Sequence, residues 1–91
     1  MITTSRYPSA KTRSLAKRLA DERGQRYLAR GKRTIDSLVS YARRMGEDRI
    51  EIVEERDDEP ARIAAIEVDE TGRWRWAGES LLKSTEKVDN P

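Results

Sequence analysis

The spacing of apolar residues divides the chain into two helices and a set of short strands. Ile2, Thr3 and Thr4 form a β-branched run that predicts a first strand over 1–4. Pro8 cannot donate to a ladder, and Ser9 suits the N-cap of a helix that follows it. In that helix Leu15 and Leu19 stand one turn apart, with Ala16 and Ala20 beside them, a narrow apolar stripe. Gly24 predicts its end, because glycine readily takes the left-handed conformation after a last turn. Gln25 to Arg30, with Tyr27 and Leu28, predicts a short second strand. Gly31-Lys32-Arg33 then turns the chain, and Thr34 caps a second helix. Ile35, Leu38, Val39, Ala42 and Met45 give that helix one buried face. Arg43 and Arg44 complement the dipole in its last turn, and Gly46 stops it.

Beyond Gly46 the period changes from helical to alternating. Ile50 and Ile52 share one face of a strand with Glu51 on the other, and Asp57 to Pro60 reads as a turn. Ile63 to Val68 is a further strand whose Ile63, Ile66 and Val68 do not share one parity. That pattern predicts a bulge or burial on both faces. Asp69 to Gly72 is another turn, and Arg73-Trp74-Arg75-Trp76 places both indoles on one face. Leu81 and Leu82 are expected to dock against the sheet. Residues 83–91 carry no apolar pattern and are expected to fray as a flexible C-terminal tail. The order β-α-β-α-β-β-β predicts a single α/β domain over 1–82. It is expected to be a two-layer sandwich, with parallel strands linked by two helices on one face and then an antiparallel meander.

Composition narrows the chemistry. Ninety-one residues, 35% of them hydrophobic and 40% charged, build one domain with a thin core. The absence of Cys excludes disulfides, thiol catalysis and thiolate metal sites. The absence of His removes the usual general base and the usual zinc ligand. Ser5 or Ser14 as a nucleophile would need such a base. Glu54, Glu55, Asp57, Asp58 and Glu59 could offer oxygen ligands to Mg²⁺, but acids on a hairpin tip also simply solvate it. No phosphate-binding glycine loop is present. The expectation is a protein that is not an enzyme and holds no cofactor or metal. With no long apolar run and no signal-peptide pattern, it is expected to be soluble and cytoplasmic, away from membranes.

Charge is more informative than its net value of +2. Residues 1–44 hold 12 Lys and Arg against Asp21, Glu22 and Asp36, a balance of +9. Residues 45–91 hold 7 Lys and Arg against 14 acids, a balance of −7. Such a separation suggests one basic and one acidic face, or else ion pairs between the halves. The stretch from Thr3 to Arg18 passes from strand to helix with Lys11, Arg13, Lys17 and Arg18 and no acid before Asp21. A helix N-terminus set among cations and hydroxyls suits a phosphate oxygen. Arg30-Gly31-Lys32-Arg33 is a second basic corner before a helix. In parallel α/β folds the carboxyl ends of neighbouring strands lie on one edge, where Arg6 and Arg30 should both emerge. Arg6, Lys11, Arg13, Arg30, Lys32 and Arg33 are therefore the candidate phosphate contacts, unless they merely solvate the loops. Tyr27, Trp74 and Trp76 could stack on bases, but in a chain without Phe they are also the bulkiest residues for a core or an interface.

The run T-T-S-R-x-P-S-x-x-T-R-S-L-x-K-x-L, from Thr3 to Leu19, resembles the opening of the Brix domain, especially in archaeal members. Arg30-Gly31-Lys32, the helix from Thr34 to Gly46, the strand from Asp48 to Glu55 and the Pro60 turn are also similar, so that the likeness spans about residues 1–82. The resemblance implies an α/β half-domain akin to the anticodon-binding domains of class II aminoacyl-tRNA synthetases. It implies a role in ribosome biogenesis, with structured ribosomal RNA as partner; the acidic second half would then face away from RNA, toward basic ribosomal proteins. Arg6, Lys11, Arg13, Arg30 and Lys32 match family positions, whereas Arg33 is a local addition. A Brix domain has two similar halves, and this chain resembles the first. If two halves normally pack together, a single half could form a homodimer through Trp74, Trp76, Leu81 and Leu82. The alternative function is a protein–protein adaptor of the same fold that does not contact RNA.

Overall fold

A computed structural model describes residues 1–82. Two helices and four strands follow in the order β1 (Ile2–Thr4), α1 (Ala10–Arg23), α2 (Ile35–Arg44), β2 (Arg49–Arg56), β3 (Glu59–Val68) and β4 (Trp74–Leu81). The strands lie side by side as β1-β2-β3-β4. β1 runs parallel to β2, and β2, β3 and β4 form the expected antiparallel meander. The chain is thus an α/β domain built on one mixed sheet.

The ends of the elements follow from local chemistry. Ser9 caps α1 by accepting a hydrogen bond from the Thr12 N–H, and Thr34 does the same for α2 through the Ser37 N–H at 3.1 Å. Gly24 closes α1 with φ of +63°, which costs a residue without Cβ little. Between β2 and β3 the two loop residues Asp57 and Asp58 both have positive φ, as a type I′ hairpin requires and as Asp tolerates. Asp69 organises the next turn by accepting from the Thr71 and Arg73 N–H groups at 2.9 and 3.0 Å.

Two expectations need correction. The strand predicted over Gln25–Arg30 is reduced to one parallel bridge, Tyr27 against Ile2, held by Ile2 N–H to the Arg26 carbonyl and Leu28 N–H to the Ile2 carbonyl. The helices, moreover, lie on opposite faces of the sheet and not together on one. Ala16 and Ala20 of α1 pack with Ile2, Val53 and Ile63, whereas Leu38, Val39 and Ala42 of α2 pack with Met1, Ile50, Ile52, Ile66 and Val68. These two sets occupy alternate positions of the strands, and alternate positions point to opposite faces. Topology supplies the reason. The bridge at Tyr27 flanks β1 on one side and β2 flanks it on the other, so the two crossovers run in opposite directions along the sheet. Each crossover being right-handed, a reversal of direction places the second helix on the other face.

The unequal parity of Ile63, Ile66 and Val68 is burial on both faces: Ile63 lies under α1, the other two under α2. A register shift does occur between Ala65 and Ile66, and the extra residue is Ala77 of β4. The predicted tail, 83–91, lies outside the described residues.

Candidate nucleic-acid interface

Parallel strands with reversed crossovers bring both helix N-termini to one edge. β1 ends at Thr4, the bridging segment passes Tyr27 and reaches Arg30, and β2 ends at Arg56, all in one direction. α1 and α2 start from that same edge. This is the switch-point geometry in which open α/β sheets bind ligands outside the carboxyl ends of their strands. Six cations were expected there, and the structure assigns them different duties.

Arg30 is not a surface residue. It is 7% exposed, and its guanidinium donates to the Thr4 carbonyl at 2.8 Å and the Arg33 carbonyl at 2.7 Å. Burial, reinforced by the nearby Arg6 charge, pushes its pKa down, although guanidinium remains charged. Arg30 therefore ties the end of β1 to the turn before α2. Arg6, Lys32 and Arg33 are exposed. None of these three has a carboxylate within 4.0 Å among the described residues. Arg33 donates to the Ala29 carbonyl at 3.0 Å, a bond that leaves its charge uncompensated.

The α1 side of the edge is partly occupied by the protein itself. The Glu55 carboxylate accepts a hydrogen bond from the Ser9 N–H at 2.5 Å, and Lys11 pairs with Glu59 at 2.7 Å. Ser9 Oγ also reaches the Asp58 carbonyl at 3.2 Å. The acidic hairpin tip thus folds over the first turn of α1, and the anion expected at that N-terminus is an internal carboxylate. Hydrogen bonds from Ser9 and Thr12, with Arg13 nearby, hold the Glu55 pKa below the usual carboxylate range. Arg13 remains exposed and donates to the Pro8 carbonyl at 3.0 Å. Farther along α1, Lys17 sits 5.8 Å from the centre of the Tyr27 ring.

Three of the five hairpin acids considered above as oxygen ligands are engaged elsewhere: Glu54 with Arg62, Glu55 with Ser9 and Glu59 with Lys11. Among the described residues no group of three acids converges as a metal site would require. Both readings of the charge separation contain part of the answer. Lys11–Glu59, Arg23–Glu51 and Arg26–Glu47 pair the basic half with the acidic half, while Arg6, Arg13, Lys32 and Arg33 form no ion pair among the described residues, although the Arg13 charge is felt at Glu55.

The four residues expected at an interface divide in two. Trp74 packs against the α2 cluster and donates through Nε1 to Asp36 at 3.2 Å, and Leu82 packs against the α1 cluster. Trp76 is 53% exposed with its ring edge-on to Trp74 at 5.8 Å, and Leu81 is 77% exposed. The residue that sequence reasoning passed over is Tyr7, 70% exposed on this same basic edge. Its position between Arg6 and Pro8 was the available signal. No helix of the described residues is long and apolar enough to cross a membrane.

No family model matches the sequence. A probable Brix domain-containing ribosomal biogenesis protein of Methanothermobacter thermautotrophicus is 40% identical over 67 residues, covering 74% of this chain and 41% of that protein. Among solved structures, Mil, an archaeal Imp4-like protein, is 40% identical with a TM-score of 0.71, covering 88% of this chain and 48% of its own. A probable ribosomal biogenesis protein from Aeropyrum pernix K1 is 32% identical with a TM-score of 0.81, covering 90% and 46%. The chain therefore spans about half the length of the relatives it matches, and over that half the resemblance to Brix and Imp4-like proteins extends to sequence and fold together.

Proposed function

We propose that this chain, similar in sequence and fold to about half of a Brix or Imp4-like protein, is a non-enzymatic RNA-binding protein of ribosome biogenesis. In this reading it is cytoplasmic and docks to structured ribosomal RNA. The observation that carries the reading is the edge at the carboxyl ends of the parallel strands, where Arg6, Lys32 and Arg33 are exposed and unpaired among the described residues. Phosphate contacts of this kind supply affinity that falls steeply with salt. Arg13 extends the basic strip along α1. Arg30 supports it from beneath, and Lys11 joins it when its Glu59 pair opens.

The test is titration into a labelled structured ribosomal RNA fragment at several salt concentrations. The wild type is compared with the triple variant R6A/K32A/R33A, which leaves buried Arg30 in place. The wild type should bind with a strong salt dependence, and the variant should lose about two to three units of slope in log affinity against log salt. Absence of binding at low salt would overturn the reading.

A second reading is favoured by Trp76 and Leu81, exposed apolar residues on β4, which pairs only with β3 among the described residues. In it the chain is an adaptor that forms a homodimer or binds basic ribosomal proteins through this strand. A light-scattering mass of one chain at high micromolar concentration would remove the homodimer, and salt-insensitive association would favour the adaptor over RNA docking.

A further inference from the structure

Tyr7 stands apart from the other aromatic residues. Tyr27 packs with the α1 cluster, Tyr41 and Trp74 with the α2 cluster, and Trp76 lies edge-on to Trp74. Tyr7 belongs to neither cluster and is 70% exposed. Its backbone has φ of +54°, a left-handed conformation that Asn, Asp and Gly take readily and a ring-bearing residue does not. The fold therefore accepts an unfavourable conformation at Tyr7 without placing its ring in either core cluster. Chain neighbours complete the picture. Arg6 precedes it, exposed and close enough to Arg30 for their charges to interact, and the Arg13 guanidinium lies 3.0 Å from the carbonyl of Pro8, which follows it. An exposed aromatic residue flanked along the backbone by these two cations matches one chemistry closely: a nucleobase outside a duplex, stacked on the ring, with its flanking phosphates on the guanidinium groups.

We propose that Tyr7 is the stacking platform for an unpaired base, so that the RNA recognised at this edge presents a single-stranded nucleotide and not duplex alone. This rests on the RNA-binding reading above and adds the class of RNA to it.

Two probes test it: a labelled RNA hairpin with a single-stranded loop, and the same stem closed as a blunt duplex. Wild type, Y7N, Y7W and R6A/K32A/R33A are titrated against both. Y7N should lose about tenfold or more in affinity for the loop RNA, Y7W should keep it, and duplex binding should be unchanged in both. Because Asn suits the left-handed region, Y7N should also melt at a temperature equal to or higher than wild type, which rules out unfolding as the cause of lost binding. Unchanged loop affinity in Y7N, while the triple variant still loses binding, would overturn the role of Tyr7 and leave the RNA reading standing. Equal losses of Y7N on loop and duplex would overturn stacking, since the effect would then lie in the backbone contacts. No binding of either RNA by wild type would overturn the RNA reading and this inference with it.

Discussion

Glu55 and Ser9, 46 positions apart, are joined by a hydrogen bond of 2.5 Å from the Ser9 N–H to the Glu55 carboxylate, which puts an internal anion at the start of α1. Ser9 and Thr12 lower the Glu55 pKa in the fold from its ordinary value of 4.5. A depressed carboxylate stabilises the folded state above the unfolded pKa, and that contribution is lost as pH falls through the folded pKa. Thermal melts of wild type and E55Q should therefore differ at neutral pH, with E55Q lower. The difference should shrink once pH drops below about 4. A gap that persists unchanged into acid would show that charge at Glu55 does not matter to stability.

The same carboxylate lies where a phosphate would sit. Removing its charge, or that of Glu59 on Lys11, should raise affinity for structured RNA. An increase of about two- to fivefold for E55Q/E59Q at low salt is the expected scale for a charge beside a helix N-terminus. Unchanged affinity would place the RNA wholly on the α2 side of the edge.

Arg30 should behave as a structural residue. R30A strands the buried Thr4 carbonyl and removes the tie to Arg33, and should cost about 2 kcal/mol in denaturant unfolding. R6A, an exposed change, should stay within about 0.5 kcal/mol of wild type. Equal stability of R30A and wild type would show that the buried guanidinium is dispensable.

Thr3 is fully buried in β1, and its Oγ1 has no hydrogen-bond partner among the described residues. Replacing that hydroxyl by a methyl group of similar shape removes a desolvated polar atom. T3V should raise the stability by about 1 kcal/mol, read as an upward shift of the unfolding midpoint. A lower midpoint would mean that the hydroxyl is engaged in the folded protein.

The elements themselves were legible in the sequence because their signals are local. Ser9 and Thr34 as caps, Gly24 as terminator, the face from Ile35 to Ala42 and the turns at Asp57 and Asp69 each rest on a few adjacent residues. The layering was not, because it depends on which side of β1 the Tyr27 segment lies, and a strand-like pattern in the sequence does not say on which side of a neighbour the segment will pair. The site was legible as a set of charges on one edge and illegible in its division of labour. Whether Arg30 is free depends on the Thr4 carbonyl 26 positions away, and whether the first turn of α1 is free depends on a carboxylate from β2. Trp74 and Trp76 share a face as the alternation predicts. What separates them is α2, whose Asp36 reaches the indole of Trp74.

The reversal of the crossovers also decides which ends of the helices meet. Both positive helix ends point past the carboxyl ends of β1 and β2, so a long polyanion would meet this domain tip-first, as a compass needle meets a field, and not broadside. β4 lies three strand spacings from β1, about 14 Å across the sheet. A domain gripping RNA by its tip would keep that flank, with Trp76 and Leu81, open to a protein at the same moment. The two readings of this chain could then describe two hands of one clamp.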